Sequence, residues 1–329
     1  MTGVGAIDPG AMRGRPVLVT GSGGFLGSAV TGRLVELGAE VRGLAGPVGE
    51  TALLRPAPPG VRVAHGEIDD GALLASLLEG VDCVFHLAGP PSVAESFAAP
   101  ARYFRIHAAG TAALLERCAE AGVRRLVHVS SAEVYAPPAP AAASKRAPVG
   151  EDHPRLPRSP YGVAKLAAEL LLETWAASAG IQATIVRPFS VYGPGGSPRS
   201  LVGQLIGQLV RGEPIQVGDL RPVRDYCFVA DAAEAIAACA AREGAPVRAY
   251  NLASGRGVSV AELAGALVAA AGRADLSIAE RGGDRPAGAI TLELVGDPTR
   301  AREELGFAAA TSLEVGLALT WQASTADRD

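Results

Sequence analysis

One stretch near the N-terminus constrains the fold of this chain more than any other. Residues 16–20 form a short apolar run, and Gly21, Gly24 and Gly27 follow it at intervals of three. Apolar residues then recur with helical spacing until Gly38, a typical helix stop. A buried strand, a glycine-rich turn and a helix in this order form the first half of a βαβ unit. The stretch therefore predicts a parallel sheet that starts near residue 16.

The alternation of strand and helix patterns continues beyond this unit. The next predicted strands are 40–44, 61–65, 81–88, 126–130 and 182–187. The predicted helices between them are 72–78, 103–121 and 161–177. Such alternation indicates an α/β fold with a Rossmann-type doubly wound parallel sheet and right-handed crossovers. We predict a flexible N-terminal arm (1–14), a mainly dinucleotide-binding domain (15–193) and a smaller, interleaved C-terminal substrate-binding lobe (194–329).

Composition excludes several classes of partner. The 329 residues carry a net charge of −4, so a basic surface for nucleic acid or an anionic membrane is not expected. The segment 1–14 lacks the long apolar run of a signal peptide or spanning helix. Four scattered cysteines without a C-x-x-C pair predict free thiols in the cytoplasm, with no disulfide framework and no metal site.

The glycine-rich turn has the spacing of a phosphate-binding loop. Glycines let a pyrophosphate approach the backbone, and the N-terminus of the following helix supplies N–H donors and partial positive charge. An acidic residue about 20 positions further on usually binds the adenosine ribose. Ala45 stands at that place and Arg42 is close to it. The residues themselves therefore leave the choice between NAD and NADP open.

A tyrosine and a lysine form the second chemical signal. Only two of the thirty basic Lys and Arg residues are lysines, and one of them, Lys165, follows Tyr161 by four positions. Residues i and i+4 of a helix lie on one face, so the ammonium is expected to lower the phenol pKa and make Tyr161 a general base. Ser130 and Ser131 end a predicted strand and could hydrogen-bond the reacting oxygen.

These features together resemble the extended short-chain dehydrogenase/reductase family, in its NAD-dependent nucleotide-sugar epimerase/dehydratase group. The resemblance extends from about Pro16 to Trp321. It is carried by TGSGGFLG, GEIDD, HLAG, SSAEVY, YGVAK, RPFSVYGPG, VRDYCFVAD, YNLASGRGVSVAEL and GDPTRAREELGF.

The resemblance implies a role for each matching residue. The implied catalytic residues are Ser131, Tyr161, Lys165 and Glu133. The implied cofactor-binding residues are Gly21, Gly24, Phe25, Leu26, Gly27, Glu67, Ile68, Leu87, Ala88, Gly89, Ser130, Tyr161, Lys165 and Pro188. The implied substrate-binding residues are Ser92, Ser131, Ala132, Tyr161, Ser190 and Arg224. NAD is the implied cofactor, a nucleotide sugar the implied substrate and a homodimer, formed through the helices 103–121 and 161–177, the implied assembly.

Departures from the family pattern discriminate between reactions. His107 replaces an Asn and is expected to be structural. Ser190 replaces the Asn of many sugar 4-epimerases, and its hydroxyl resembles the Thr that epimerases of uronic acids carry there. Ala132 replaces the Asp that donates a proton in 4,6-dehydratases. The leading hypothesis is therefore a nucleotide-sugar 4-epimerase that forms a transient 4-keto sugar on a UDP-hexose or UDP-uronic acid.

Other functions remain open at this point. Glu133 is compatible with a dehydratase or uronic acid decarboxylase, and a 4-ketosugar reductase or a sterol- or flavonoid-type reductase would use the same Tyr–Lys pair. A non-catalytic dinucleotide-binding sensor is an alternative of another class. The presence of both Tyr161 and Lys165 speaks against it. Asp231 is expected to cap the helix that follows it.

Overall fold

A parallel sheet forms the centre of the computed structural model, which describes residues 12–47, 55–138, 147–242, 244–282 and 292–326. Numbered along the chain, the strands are β1 (Pro16–Thr20), β2 (Glu40–Ala45), β3 (Arg62–His65), β4 (Cys83–His86), β5 (Arg125–Val129), β6 (Gln182–Pro188), β7 (Ser190–Tyr192), β8 (Ile215–Val217), β9 (Val223–Phe228), β10 (Val247–Leu252), β11 (Gly257–Ser259), β12 (Ile278–Glu280) and β13 (Glu293–Leu294). Within the described residues the large sheet has seven strands in the order β10-β6-β5-β4-β1-β2-β3, and all neighbouring pairs are parallel. The predicted α/β fold with a Rossmann-type sheet is confirmed.

Helices cover both faces of this sheet. Within the described residues the α-helices are α1 (Phe25–Glu36), α2 (Gly71–Leu78), α3 (Val93–Ala98), α4 (Pro100–Phe104), α5 (Gly110–Glu120), α6 (Pro160–Leu171), α7 (Leu201–Arg211), α8 (Val229–Ala238), α9 (Val260–Ala270), α10 (Thr299–Leu305) and α11 (Leu313–Ala326), of which α7, α9 and α11 belong to the smaller lobe. In β1, Val17 and Val19 pack in one core cluster with Leu34 of α1, while Leu18 packs in the other with Leu74 of α2. Successive side chains of a strand point to opposite faces, so β1 is apolar throughout because both of its faces are buried.

The C-terminal half contributes to both parts of the molecule. Strand β10 pairs with β6 in the large sheet, and α8 packs in the same core cluster as α1. The second described sheet consists of β7, β9, β11 and β13, and β8 pairs with β12. Helices α7, α9 and α11 pack with these short strands around a separate apolar cluster. The bounds 15–193 and 194–329 stay a prediction.

Two of the predicted long helices contain π-helical segments. The helix predicted at 103–121 consists of α4, a π-helical segment (Arg105–Ala109) and α5, and α6 continues into a second such segment (Leu172–Ala176). A π-helical turn inserts extra residues without breaking the helix, so apolar periodicity hardly reveals it. Strand β4 is shorter than predicted and ends at His86, because the chain turns at Gly89, whose φ is 127°.

The structure corrects one smaller expectation and leaves another as a prediction. Of the predicted flexible arm (1–14), residues 1–11 lie outside the described residues and Met12 is fully buried, so the arm stays a prediction. Asp231 lies in the first turn of α8, and its carboxylate accepts hydrogen bonds from the N–H and hydroxyl of Thr311. It therefore ties α8 to the loop before α11 and does not act as a cap.

Candidate active site

The carboxyl ends of adjacent strands bring the predicted site residues to one edge of the sheet. Strand β1 leads into Gly21, β4 into Leu87 and β5 into Ser130, and β6 ends at Pro188. In open α/β sheets, ligands bind in the crevice outside these carboxyl ends. The ends of β1, β4, β5 and β6 therefore line one crevice.

The glycine loop is shaped for close backbone approach. Gly21 has a φ of 73°, and a Cβ added to it would lie 2.8 Å from the carbonyl carbon of Leu87. A Cβ on Gly27 would lie 2.0 Å from the carbonyl oxygen of Gly21. Gly24, the N-cap of α1, makes no side-chain cap hydrogen bond within the described structure, so no cap competes for the first N–H groups of this helix. This cradle after β1, together with the buried, unpartnered hydroxyl of Ser130 after β5 at the same edge of the sheet, fits a dinucleotide.

The end of β2 offers no acidic group for a ribose. Ala45 is buried at this strand end, and Arg42 donates hydrogen bonds to the carbonyl oxygens of Leu77 (3.0 Å) and Glu79 (2.6 Å). The guanidinium of Arg42 is thus engaged at the end of α2. Arg55 instead lies beside the glycine loop, with its guanidinium carbon 5.7 Å from the ring centre of Phe25.

Glu67 and Ile68 follow β3 at the same edge. The Glu67 carboxylate pairs with Arg105 at 3.5 Å. Ile68 is buried against Gly110, and a Cβ added to Gly110 would lie 2.4 Å from Cγ2 of Ile68. Both residues therefore help to hold the start of α5 against the sheet. Their predicted contact with the adenine is not visible in these interactions and stays a prediction.

Tyr161 meets Ser131 at the centre of the crevice. The phenol is 7% exposed, burial raises its pKa to about 12, and a hydrogen bond with the Ser131 hydroxyl acts in the opposite direction. The expectation that the neighbouring ammonium lowers the pKa of this phenol is wrong for this structure, because the loss of water around the phenol has the larger effect and raises the pKa. Burial of Tyr161 therefore disfavours its phenolate, and the Ser131 hydroxyl beside it favours the phenolate.

Lys165 is buried one turn further along α6. Its ammonium donates a hydrogen bond to the carbonyl oxygen of Val129 at 2.8 Å, and it is 5% exposed. Burial lowers the pKa of Lys165 to about 8, and the carboxylate of Glu169 opposes this change. Lys165 is thus hydrogen-bonded to the last residue of β5, directly before Ser130 and Ser131.

Local sequence explains how α6 reaches this position. The hydroxyl of Ser159 accepts a hydrogen bond from the N–H of Gly162 at 3.1 Å, and Pro160 occupies the first helical position. A Cβ on Gly162 would lie 2.5 Å from the carbonyl oxygen of Glu133. Gly162 therefore allows α6 to pack against the 3₁₀ turn Ala132–Val134, which follows Ser131.

A chain of hydrogen bonds holds the loop after β4. Thr111 donates to the carbonyl oxygen of His107, so its oxygen accepts from Nε2 of His86, whose Nδ1 in turn accepts from Thr20. Burial lowers the pKa of His86 to about 3, which agrees with this neutral form. His107 donates from Nε2 to the carbonyl oxygen of Pro90 at 3.0 Å. These contacts fit the expected structural role of His107.

The predicted substrate-binding residues come from three places. Ser92 is the N-cap of α3 and accepts a hydrogen bond from the N–H of Glu95. Ser190 of β7 lies opposite Tyr226 of β9, and Arg224 lies two positions before Tyr226, so Ser190 and Arg224 share one face of the small sheet. Glu133 and Ala132 lie in the 3₁₀ turn beside Tyr161. The assignment of these residues to the substrate stays a prediction.

Sequence reasoning missed a buried ion pair below the Tyr–Lys pair. Glu169 binds Arg187 through both carboxylate oxygens, at 2.9 and 2.7 Å. The spacing Y-x-x-x-K-x-x-x-E from Tyr161 to Glu169 contains a signal that could have placed Glu169 on the same helix face. Its partner Arg187 lies on another strand and could not be found from spacing.

The family assignment follows from comparison with known proteins. The model of the NAD dependent epimerase/dehydratase family matches residues 17–253. The chain belongs to this family. A UDP-glucose 4-epimerase of Streptomyces lividans is 36% identical to it over 309 residues, which cover 88% of this chain and 90% of the relative.

Solved structures give the same assignment. The UDP-glucose 4-epimerase of Thermotoga maritima, solved with UDP-glucose, has a TM-score of 0.85, 29% identity and coverage of 95% of this chain and 100% of that one. MoeE5, solved with UDP-glucuronic acid and NAD, has a TM-score of 0.81, 32% identity and coverage of 95% and 99%. These findings confirm the predicted epimerase/dehydratase resemblance, the NAD-dependent enzyme class and NAD as the cofactor.

Proposed function

We propose that this member of the epimerase/dehydratase family is a nucleotide-sugar 4-epimerase that acts on a UDP-hexose or a UDP-uronic acid. The observation that carries the proposal is the contact between Ser131 and Tyr161, with Lys165 one turn away, at the sheet edge that also holds the glycine cradle. Relatives of both substrate types support the choice of substrate, because one is solved with UDP-glucose and another with UDP-glucuronic acid.

The residues of the chain supply acid–base chemistry. Tyr161 removes the proton from the sugar O4 hydroxyl and later returns it, while Ser131 hydrogen-bonds the same oxygen. Lys165 holds positive charge close to the phenol, which favours the phenolate during the reaction. NAD, which the glycine cradle of Gly21, Gly24 and Gly27 would hold, would supply a reversible hydride acceptor. Because the proton and the hydride both return to the sugar, the reaction has no net redox change.

The residue after Ser131 argues against elimination of water. Ala132 is buried in the 3₁₀ turn and has no proton to give a leaving hydroxyl. Glu133 in the same turn has a backbone N–H bound to the Ser131 hydroxyl at 3.2 Å, so its main chain orients Ser131. In the alternative function, a dehydratase or decarboxylase, the Glu133 carboxylate would remove a C5 proton or assist decarboxylation.

The test is incubation of the purified protein with UDP-glucose, UDP-galactose and UDP-glucuronic acid without added cofactor. Conversion to the C4 epimer, followed by anion-exchange chromatography and NMR, is the expected result. Loss of water or CO2 would point to a dehydratase or decarboxylase, and stoichiometric consumption of added NADPH to a 4-ketosugar reductase. Nucleotide binding without turnover of any sugar would instead support the alternative of a non-catalytic dinucleotide-binding sensor.

A homodimer through α4 and α6 is part of the proposal. An apolar groove of about 820 Å3 lies between these helices, and Phe104 and Val163 beside it are 51% and 48% exposed. Two copies of this face would bury the exposed rings and aliphatic groups against each other. A cytoplasmic location is proposed because Cys83, Cys118, Cys227 and Cys239 are all free and buried.

Replacement of Val163 with glutamate is expected to convert this dimer to a monomer, because it places a charge in the apolar contact. The measurement is molar mass by light scattering after gel filtration. Val315→Glu is the matched control, since Val315 is 54% exposed on α11 and lies outside the groove. A Val163→Glu protein with the mass of the unmodified protein would contradict the proposed interface.

Within the described ranges, every helix is too short or too polar to cross a bilayer. In the same residues, no group of three or more His, Cys, Asp or Glu side chains is arranged to hold a metal ion.

A further inference from the structure

We infer that Glu169 is the counter-charge of Lys165 and that Arg187 fixes it in place, which makes Glu169 a positioning residue for the Tyr–Lys pair. Tyr161, Lys165 and Glu169 follow one another at intervals of four on α6, so their side chains share one helix face. They are 7%, 5% and 0% exposed. The inference depends on the proposed function only where activity is the readout.

The carboxylate of Glu169 is held rigidly. Its Oε1 accepts from Nε of Arg187 at 2.9 Å, and its Oε2 accepts from the terminal nitrogens of Arg187 at 2.7 Å and Arg155 at 3.0 Å. A bidentate guanidinium–carboxylate pair restricts both partners in distance and angle. Two guanidinium groups therefore fix the position of the Glu169 carboxylate, one turn from Lys165 on α6.

Arg187 is fixed in turn by elements outside α6. Its NH1 donates to the hydroxyl of Tyr135 at 2.9 Å and to the carbonyl oxygen of Glu151 at 3.0 Å. The Tyr135 hydroxyl donates to Oδ1 of Asn251 on β10 at 2.6 Å. Arg187 also directly precedes Pro188, at the end of β6. The network thus connects the ion pair to two strands of the large sheet, and α6 is oriented relative to both.

The histidines that interact electrostatically with Lys165 are neutral. His86 of β4, His128 of β5 and His107 of the π-helical segment all have pKa values lowered by burial, to about 3 for His86 and well below the usual range for the other two. Tyr161 is neutral because burial raises its pKa to about 12. Among the described groups that affect the pKa of Lys165, Glu169 is therefore the charged one.

A buried ammonium with a pKa of about 8 depends on such a counter-charge. Removal of the negative charge of Glu169 leaves the desolvation of Lys165 unopposed, so Lys165 loses its proton at lower pH. A neutral amine no longer favours the phenolate of Tyr161. The expected consequence is a shift of the alkaline limit of activity to lower pH.

The chain offers a direct test because it has only two lysines, Lys145 and Lys165. Full-length protein is labelled with 13Cε-lysine, Lys145→Arg assigns the Lys165 resonance, and the resonance is followed against pH. Glu169→Gln is expected to move the Lys165 midpoint to lower pH. Glu173→Gln is the matched control, since Glu173 lies one turn further on, pairs with Arg155 at 2.6 and 2.9 Å and is not a charge that affects Lys165. It should leave the midpoint unchanged.

Two further variants separate charge from packing. Glu169→Asp retains the negative charge and should titrate close to the unmodified protein, although it disturbs the contact with Arg187. If Glu169→Gln fails to fold, Glu169→Gln/Arg187→Met is measured, because it leaves neither partner as an unpaired buried charge. A Lys165 midpoint in the folded glutamine variant that equals the midpoint of the unmodified protein would overturn the inference.

Activity provides a second readout. Relative to its own rate at pH 7, Glu169→Gln should lose about threefold more epimerase activity at alkaline pH than Glu173→Gln, which corresponds to half a pKa unit. The lysine titration needs no substrate. Absence of epimerase activity in the unmodified protein would therefore reject the proposed function while the titration still decided the role of Glu169.

Discussion

Replacement of Tyr161 with phenylalanine is expected to lower kcat by about 10²- to 10⁴-fold, the usual contribution of a general acid–base group. The ring remains, so its edge-to-face contacts with His107 and Tyr103 are kept, and only the hydroxyl that contacts Ser131 is lost. NAD content and melting temperature should stay close to those of the unmodified protein. The measurement is steady-state epimerase kinetics together with bound NAD released by denaturation.

The matched control for this variant is Tyr192→Phe. Tyr192 is also buried, but its hydroxyl lies in the smaller lobe, 3.5 and 3.4 Å from the carbonyl oxygens of Ser312 and Leu313. This variant should keep kcat within about twofold, since it loses only two long hydrogen bonds remote from the sheet edge. Full activity of Tyr161→Phe, with the control equally active, would reject Tyr161 as the base.

Replacement of Gly27 with alanine is expected to weaken NAD binding at least about tenfold, or about 1.4 kcal/mol. The added methyl group would lie 2.0 Å from the carbonyl oxygen of Gly21, so the glycine loop must open and its backbone can no longer follow the pyrophosphate. The same displacement should destabilise the fold by about 1–3 kcal/mol. NAD affinity is measured by calorimetry on nucleotide-free protein, and stability by urea unfolding.

Gly32→Ala is the control for this second variant. Gly32 lies in the same helix α1, and a Cβ there would have no neighbouring atom within 4 Å. Alanine in an open helical position stabilises by up to about 1 kcal/mol, so this variant should bind NAD normally and unfold at higher urea concentration. Normal NAD affinity in Gly27→Ala would mean that the loop between β1 and α1 does not hold the pyrophosphate.

Much of the large sheet was predictable because its signals are local. The apolar runs of β1, β2 and β5 and the glycine spacing after β1 carry their meaning within a few residues, and both faces of the central strands are buried. The short strands β7, β11, β12 and β13 were missed. Two or three residues are too few to show a period, and long-range pairing alone defines them.

The candidate site was predictable to the same extent. Glycine spacing and the interval between Tyr161 and Lys165 identified the phosphate loop and the Tyr–Lys helix face, because helix geometry converts spacing into proximity. The pKa of Tyr161 was predicted in the wrong direction. A neighbouring positive charge can be read from spacing, whereas burial of the phenol depends on what packs around it, including His107 and Tyr103.

The amino-acid sequence by itself determined the alternation of strands and helices in the large sheet, the glycine loop and the shared face of Tyr161 and Lys165. Each of these depends on residues close together in the chain. Only the tertiary structure decided that Arg187 fixes Glu169, that Lys165 binds the end of β5, and that Ser190 and Arg224 lie on one face of the small sheet. These relations join distant segments, and their energies depend on burial, which exists only once the chain has packed.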